Sequence, residues 1–323
     1  MRKSNFLFIF TAFWVILSLA APWADACTGF GAAGTDYVIG GGTLLAKNRD
    51  WKPEYNSVQV FVPGHGKHSY VALIADSYVK AGTNDAGLTL VSLSAHPSIP
   101  PGMTVPAGVA GQVDLNAEIL QNYKNIYQVI KNRAKLFTNA DSAFLLLSDG
   151  TNVATVEIVS KYLVKRRTPR TENYMITYKT DGVIYHTNHY LDPSFLTFNL
   201  NKDLFGNNVS YANDDSLARY ERIGCLVNYC NQPPFIIDDF IKYSTDQQCG
   251  PYSIWRLNND SECTLASWIV RTPSGGGPSE IFIRLANPTS DNKCAEKQDW
   301  KCTSLTTLDT FWAKPNITWT ACD

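Results

Sequence analysis

Between Cys27 and Cys225 the 323-residue chain contains no cysteine, and nowhere does it contain a Cys-x-x-Cys pair. Its five histidines are scattered, so a metal reading is weak. An excess of either charge is also missing: 28 basic against 29 acidic side chains leave a formal net charge of −1. A nucleic-acid binder would want a basic face and an anionic membrane a polybasic cluster, so the balance argues against both. Glycine clusters at 40–42 and 275–277 do not follow the phosphate-loop pattern, and no nucleotide is implied. No internal repeat and no low-complexity linker divides the chain, which favours one domain over two.

What the chain does have begins at its start. Met1-Arg2-Lys3 precedes a mostly apolar run from Phe6 to Ala21, followed by Pro22 and Ala24-Asp25-Ala26. A basic start, a short apolar core and small residues before a cut describe a secretory signal peptide over residues 1–26. The run is about 16 residues, short of the roughly 20 that cross a bilayer, and no later stretch is long enough, so no stable membrane anchor is expected. Export to periplasm or medium would permit disulfides, and seven of the eight cysteines lie at 225, 230, 249, 263, 294, 302 and 322. With Cys27 reserved for chemistry, these seven allow at most three bridges and one leftover thiol. Cys294, Cys302 and Cys322 read as staples of a C-terminal extension, residues 291–323, packed on a domain spanning 27–290.

The composition, 45% hydrophobic and 12% aromatic, can fill a large core. Short strand-like runs flank Gly34-Thr35-Asp36, and others start at Ser57, Ser69 and Gly87. His96–Gly111, rich in proline and glycine, reads as a loop. Leu115, Ile119, Tyr123, Ile126 and Ile130 recur at helical spacing and predict one helix. Strands are expected at AFLLLS, VATVEIV, YLVKR, NYMITY and VIYHT, then at SIWRL, TLASWIV and EIFIRL. Between these groups, Asp214-Asp215-Ser216 can cap a helix running to about Asn228, and a third helix is expected over Pro233–Tyr243. Grouped strands with few helices indicate a mixed, largely antiparallel α+β arrangement.

The segment WADACTGF places the cut directly before Cys27. Such a cysteine can be an incidental first residue, a lipidated anchor or a nucleophile freed by cleavage. Asp25 fits poorly into a lipidation signal. A free α-amine has a pKa of about 7.7–8 and a thiol about 8.5, so one residue can supply both base and nucleophile for acyl transfer.

CTGFGAAG and LLAKNRDW resemble the start of the choloylglycine hydrolase and penicillin V acylase family, and equally the acyl-CoA:6-aminopenicillanate acyltransferase-like group. GTNDAGLTLVSL, HTNHYLD, DSLARYERI and the SIWRL…TLASWIV pair extend the resemblance in order over roughly residues 27–290. These are N-terminal nucleophile hydrolases. The resemblance implies a four-layer αββα sandwich and hydrolysis of a linear N-acyl amide through an acyl-enzyme on Cys27, with no cofactor and no metal. It further implies Asp50 holding the amine and thiol, Asn188 aiming its amide at the oxyanion, and Arg219 pairing with carboxylates, with Arg222 behind it. Lys47 stands where the family has arginine, with Arg49 nearby to compensate, and Ser94 aligns with the second oxyanion position. The partner implied is a small-molecule N-acyl amide, and a homo-oligomer is left open. Acyl transfer from the same acyl-enzyme is the nearest alternative. A degenerate secreted binding or envelope protein is the other, resting on the Lys47 and Ser94 departures. A Cys/His dyad with His186 or His189 is a further reading, and Asn208, Asn259 and Asn316 begin glycosylation sequons.

Overall fold

The computed structural model describes residues 26–95, 97, 114–167, 172–202, 208–210, 214–256, 262–275, 278–287, 299–304 and 320–321. All but one residue of the expected loop at 96–111, Cys294, Cys322 and two sequons (Asn259 and Asn316) lie outside them.

Two seven-stranded sheets form the centre. Sheet II takes its strands in sequence order: β3 (Ser57–Phe61), β4 (Tyr70–Ala75), β5 (Tyr78–Asn84), β6 (Thr89–Ser94), β7 (Ala143–Ser148), β8 (Val153–Ile158) and β9 (Tyr174–Lys179). Sheet I gathers distant segments in the order β10 (Gly182–His186), β1 (Thr28–Ala33), β2 (Thr43–Trp51), β13 (Cys263–Thr272), β14 (Glu280–Leu285), β15 (Lys301–Ser304), β16 (Thr320–Ala321). A separate pair joins β11 (Leu200–Lys202) to β12 (Asn208–Ser210). Every ladder between these strands is antiparallel.

Three apolar layers separate four structural ones. Between the sheets lie Leu45, Leu93, Phe144, Leu146, Ile184 and Trp268. Outside sheet II, α1 (Leu115–Asn122), α2 (Ile126–Lys131) and α3 (Arg133–Phe137) bury Ile119, Val129 and Phe137 against Leu90, Leu147 and Val156. Outside sheet I, α5 (Asp214–Gly224), its π-helical continuation Cys225–Tyr229 and α6 (Ile237–Ser244) bury Ile223, Val227 and Phe240 against Phe30, Leu44 and Ala46. The fold is therefore the αββα sandwich expected. Strands covered on both faces read as nearly continuous apolar runs, which is why β4, β7 and β13 are legible.

Four local readings need correction. The single helix expected after Asp114 is three. Tyr123 is extended at φ −129°, ψ 138°, the Asn84 side chain donates to the carbonyls of Leu120 and Tyr123, and Asn125 caps a new helix at Gln128 N. Residues 161–167, expected as a strand, form α4 (Lys161–Arg167) with Leu163 and Val164 buried among the inter-sheet residues. Ser253–Arg256 is not a strand: Trp255 N donates to Asp246 O and Arg256 N to Thr264 Oγ1, so neither enters a ladder. β5 went unread because Lys80, Gly82, Thr83 and Asn84 break its apolar pattern. A two-residue turn at Asp76 and Ser77, both at positive φ, carries β4 back into it.

The nine-residue link from β1 to β2 is glycine-dependent at Gly42, where φ is +90° and a Cβ would sit 2.3 Å from Thr272 O. Near the start of β1, a Cβ on Gly29 would already lie 3.1 Å from Leu146 on the facing sheet. The two sheets thus approach closely two residues from Cys27.

Candidate active site

Antiparallel order brings the start of β1, the end of β2, the start of β13 and the end of β10 to one end of sheet I. Cys27 lies just before β1, is 4% exposed and belongs to the inter-sheet layer. Its backbone nitrogen donates to Asn188 Oδ1 at 2.7 Å, and its sulfur is 4.0 Å from the main-chain oxygen of Asp50.

Asn188 follows β10 and is held from three sides. Its Oδ1 also accepts from Arg219 Nη2 at 3.1 Å, its Nδ2 donates to Ser94 O at 2.9 Å, and its backbone N–H donates to Ser216 Oγ at 2.9 Å. The amide expected to aim at an oxyanion thus presents its oxygen to Cys27 N. An amide nitrogen carries two hydrogens, and the bond to Ser94 uses one. Ser94 contributes a main-chain carbonyl to this arrangement.

Arg219, on α5 and 0% exposed, reaches across to β1. Nη1 donates to Cys27 O and to Thr28 Oγ1 (3.0 Å), while Nε donates to Asp215 Oδ1 at 3.1 Å. Burial pulls its pKa down, and the charges of Asp50, Cys27 and Glu262 oppose that. The fork geometry lets one side chain brace backbone, hydroxyl and amide at once, which a lysine could not do.

Asp50 is 1% exposed, and its carboxylate makes no hydrogen bond to Cys27. Oδ1 accepts from Thr264 Oγ1 at 2.6 Å, and Oδ2 lies 3.8 Å from Arg256 Nε. Burial raises the carboxyl pKa, against the pull of Arg256, Arg219, the Thr264 hydrogen bond and Lys47. Arg256 also pairs with Asp215 and with Glu262, the latter at 2.8 Å. Asp215, expected as a helix cap, is therefore shared by two buried arginines. Arg256, Asp215 and Thr264 were invisible as a group in the sequence. Arg256 fell in a segment read as a strand, and no spacing rule links positions 50, 215 and 256.

Lys47 and Arg49 lie on the opposite face of β2. Lys47, 2% exposed, donates Nζ to Ser92 O and to Lys80 O (3.2 Å) on the facing sheet. Arg49 Nη2 pairs with Glu54. Arg222 is bidentate to Asp246, away from Cys27. His186 and His189 make no hydrogen bond to Cys27. His189 Nδ1 meets Ser216 Oγ at 2.8 Å and Thr187 Oγ1 at 3.2 Å, and burial, His186 and Arg219 lower its pKa to about 4. It is a neutral spacer behind Asn188. Among the described residues no cluster could hold a metal ion. Cys225 and Cys230 are bridged, Cys263 and Cys302 are also disulfide-bonded, and Cys27 and Cys249 are free.

The family profile of acyl-coenzyme A:6-aminopenicillanic acid acyl-transferase matches residues 39–274. The chain belongs to this family. The matched span holds Lys47, Asp50, Ser94, Asn188, Arg219 and Arg256, and begins after Cys27. Among solved structures, a penicillin V acylase from Agrobacterium tumefaciens is 15% identical, with 91% of this chain and 90% of that one covered at a TM-score of 0.47. An arginine-to-leucine variant of a conjugated bile acid hydrolase from Clostridium perfringens is 13% identical, with 92% and 97% covered at a TM-score of 0.48. No curated protein sequence matches the chain.

Proposed function

We propose that the chain is exported, cut between Ala26 and Cys27, and acts as a cysteine N-terminal nucleophile enzyme on a linear N-acyl amide. The observation that carries this reading is the bond from Cys27 N to Asn188 Oδ1, braced by Arg219. It holds in place the nitrogen that cleavage would turn into an α-amine, on the same residue as the buried thiol.

In this mechanism the amine takes the thiol proton as sulfur attacks the substrate carbonyl carbon. The second hydrogen of Asn188 Nδ2 is the donor nearest to hand for the oxyanion. Such a donor is typically worth about 10²–10³ in rate. Collapse breaks the C–N bond, the proton passes from the α-amine to the departing amine, and an acyl-enzyme remains. Water, deprotonated by the same amine, then attacks the thioester and releases acid. Arg219, Thr28 and Asp215 keep the first residue in register when no peptide bond holds its nitrogen.

The test is mass determination of the active protein's N-terminus, combined with turnover of an N-acyl amide panel by wild type and Cys27→Ala. A Cys27 start and total loss in the variant are expected. Residues found ahead of Cys27 on active protein would overturn the mechanism, because the base would then be an amide. The family match favours a second reading, in which an amine rather than water takes the acyl group. Product partition with and without an amine acceptor distinguishes the two.

A further inference from the structure

One buried cation near Cys27 in the register of sheet I, Arg49, has no part in the mechanism. Thr28 pairs with Asn48, so the next step of that register sets Cys27 across from Arg49. Side chains alternate along a strand. Leu45 lies in the inter-sheet layer and Lys47 reaches the facing sheet, so Arg49 points to that same face, the one Cys27 occupies. Asn48, on the other face, bonds Ser244 O and Ile254 O beneath α6.

Arg49 is 5% exposed, yet its partnering is thin. Nη2 pairs with Glu54, and Nη1 is buried with no hydrogen-bond partner among the described residues. A buried donor left unmade costs about 1–3 kcal/mol, and an ordered water or a ligand would recover that. A planar guanidinium with open donors best suits a carboxylate, which it can bind in two places. Among the described residues Glu54 is the one acidic partner on this guanidinium; it is part-exposed and contacts it through Nη2 alone.

We infer that Arg49 is a specificity-determining residue, whose free Nη1 receives a carboxylate of the substrate bound at Cys27. The inference rests on the proposed nucleophile. The carboxylate can sit on the amine half, as in an N-acyl amino acid, or on the acyl half, as in a monoamide of a dicarboxylic acid. Glu54 competes for the same guanidinium and so weakens the preference for anions.

Two thiol reagents of nearly equal size test this without knowledge of the substrate. Iodoacetate carries a carboxylate and iodoacetamide a neutral amide. Alkylation at Cys27 is followed by peptide mapping, with the free, half-buried Cys249 as internal reference. The iodoacetate-to-iodoacetamide rate ratio at Cys27, normalised to Cys249, is expected to fall about tenfold in Arg49→Gln, the equivalent of about 1.4 kcal/mol. It should be partly kept in Arg49→Lys and rise in Glu54→Gln. Opposite shifts from the two neutralising variants cannot come from misfolding. Equal ratios in wild type and Arg49→Gln would overturn the inference and leave the nucleophile standing. Failure of both reagents at Cys27 while Cys249 reacts would overturn both. Turnover of N-acyl glycines against glycinamides, and of dicarboxylic monoamides against their methyl esters, then assigns the carboxylate to one half. No loss of turnover on removing it from either half also counts against the inference.

Discussion

The two sheets have equal strand number and opposite construction. Sheet II is a meander whose neighbours in space are neighbours in sequence, and the layer outside it holds a large apolar cluster. Sheet I joins residues 28–51, 182–186, 263–285, 301–304 and 320–321, and Asn48, Asp50, Arg219, Arg256 and Ser267 are buried on or against it. Local pairing is cheap in loop-closure entropy, whereas non-local pairing costs more. Only the non-local sheet gathers chemistry-bearing residues from four distant segments. Stability and function are thereby divided between layers, one conventional and one carrying buried charge.

The sharpest way to break that division is Asn188→Ala, which releases Cys27 N on the sheet I side. Misplacing a reacting group by about 1 Å costs on the order of 100-fold, and that loss of kcat is expected with little change in melting temperature. Phe137→Ala should do the reverse. Its ring is fully buried outside sheet II and packs on Tyr174 at 5.6 Å. A stability loss of about 3–5 kcal/mol in urea titration is expected, with turnover of the folded fraction unchanged.

Acid should find the polar layer first. His189 keeps a pKa of about 4 when folded, against about 6.5 for an ordinary histidine. The unfolded chain takes up this proton between those values and the folded chain does not. Stability therefore falls as pH drops through about 6.5 to 4 and levels off below, by on the order of 3 kcal/mol from this group. Denaturant melts of wild type and His189→Gln across that window should diverge by this component. A variant with an unchanged pH profile would remove His189 from the account. The smallest effect belongs to sheet II. Ser77→Gly relieves a positive φ of 64° and should stabilise by about 0.5–1 kcal/mol, read as a small rise in melting temperature.

Legibility follows the same division. Strands covered on both faces announce themselves as apolar runs, so most of the strands and their largely antiparallel grouping can be read directly, whereas the four-layer sandwich is what the family resemblance implies. β5 cannot, because its glycine, lysine and asparagine serve the neighbouring helix and the facing sheet. α4 reads as a strand because burial of Leu163 and Val164 is decided by tertiary packing. In the site, Cys27, Asn188 and Arg219 were picked out by resemblance to flanking motifs, and the structure puts them in direct contact. Arg256 and Asp215 have no such flanks. Their meaning comes from facing Asp50 across β13 and α5, a relation that exists only in three dimensions.

Lys47 draws one more consequence from the close approach of the sheets at Gly29. The β5–β6 ladder runs from Thr83↔Thr89 to Ala81↔Val91 and stops, and the next carbonyls, Lys80 and Ser92, both turn to the Lys47 ammonium arriving from the other sheet. A four-carbon stem thus acts as a gauge block between the layers. The distance between the layers at this point is matched to the length of one side chain, and a longer, flatter arginine there would have to meet the same two carbonyls in a different geometry.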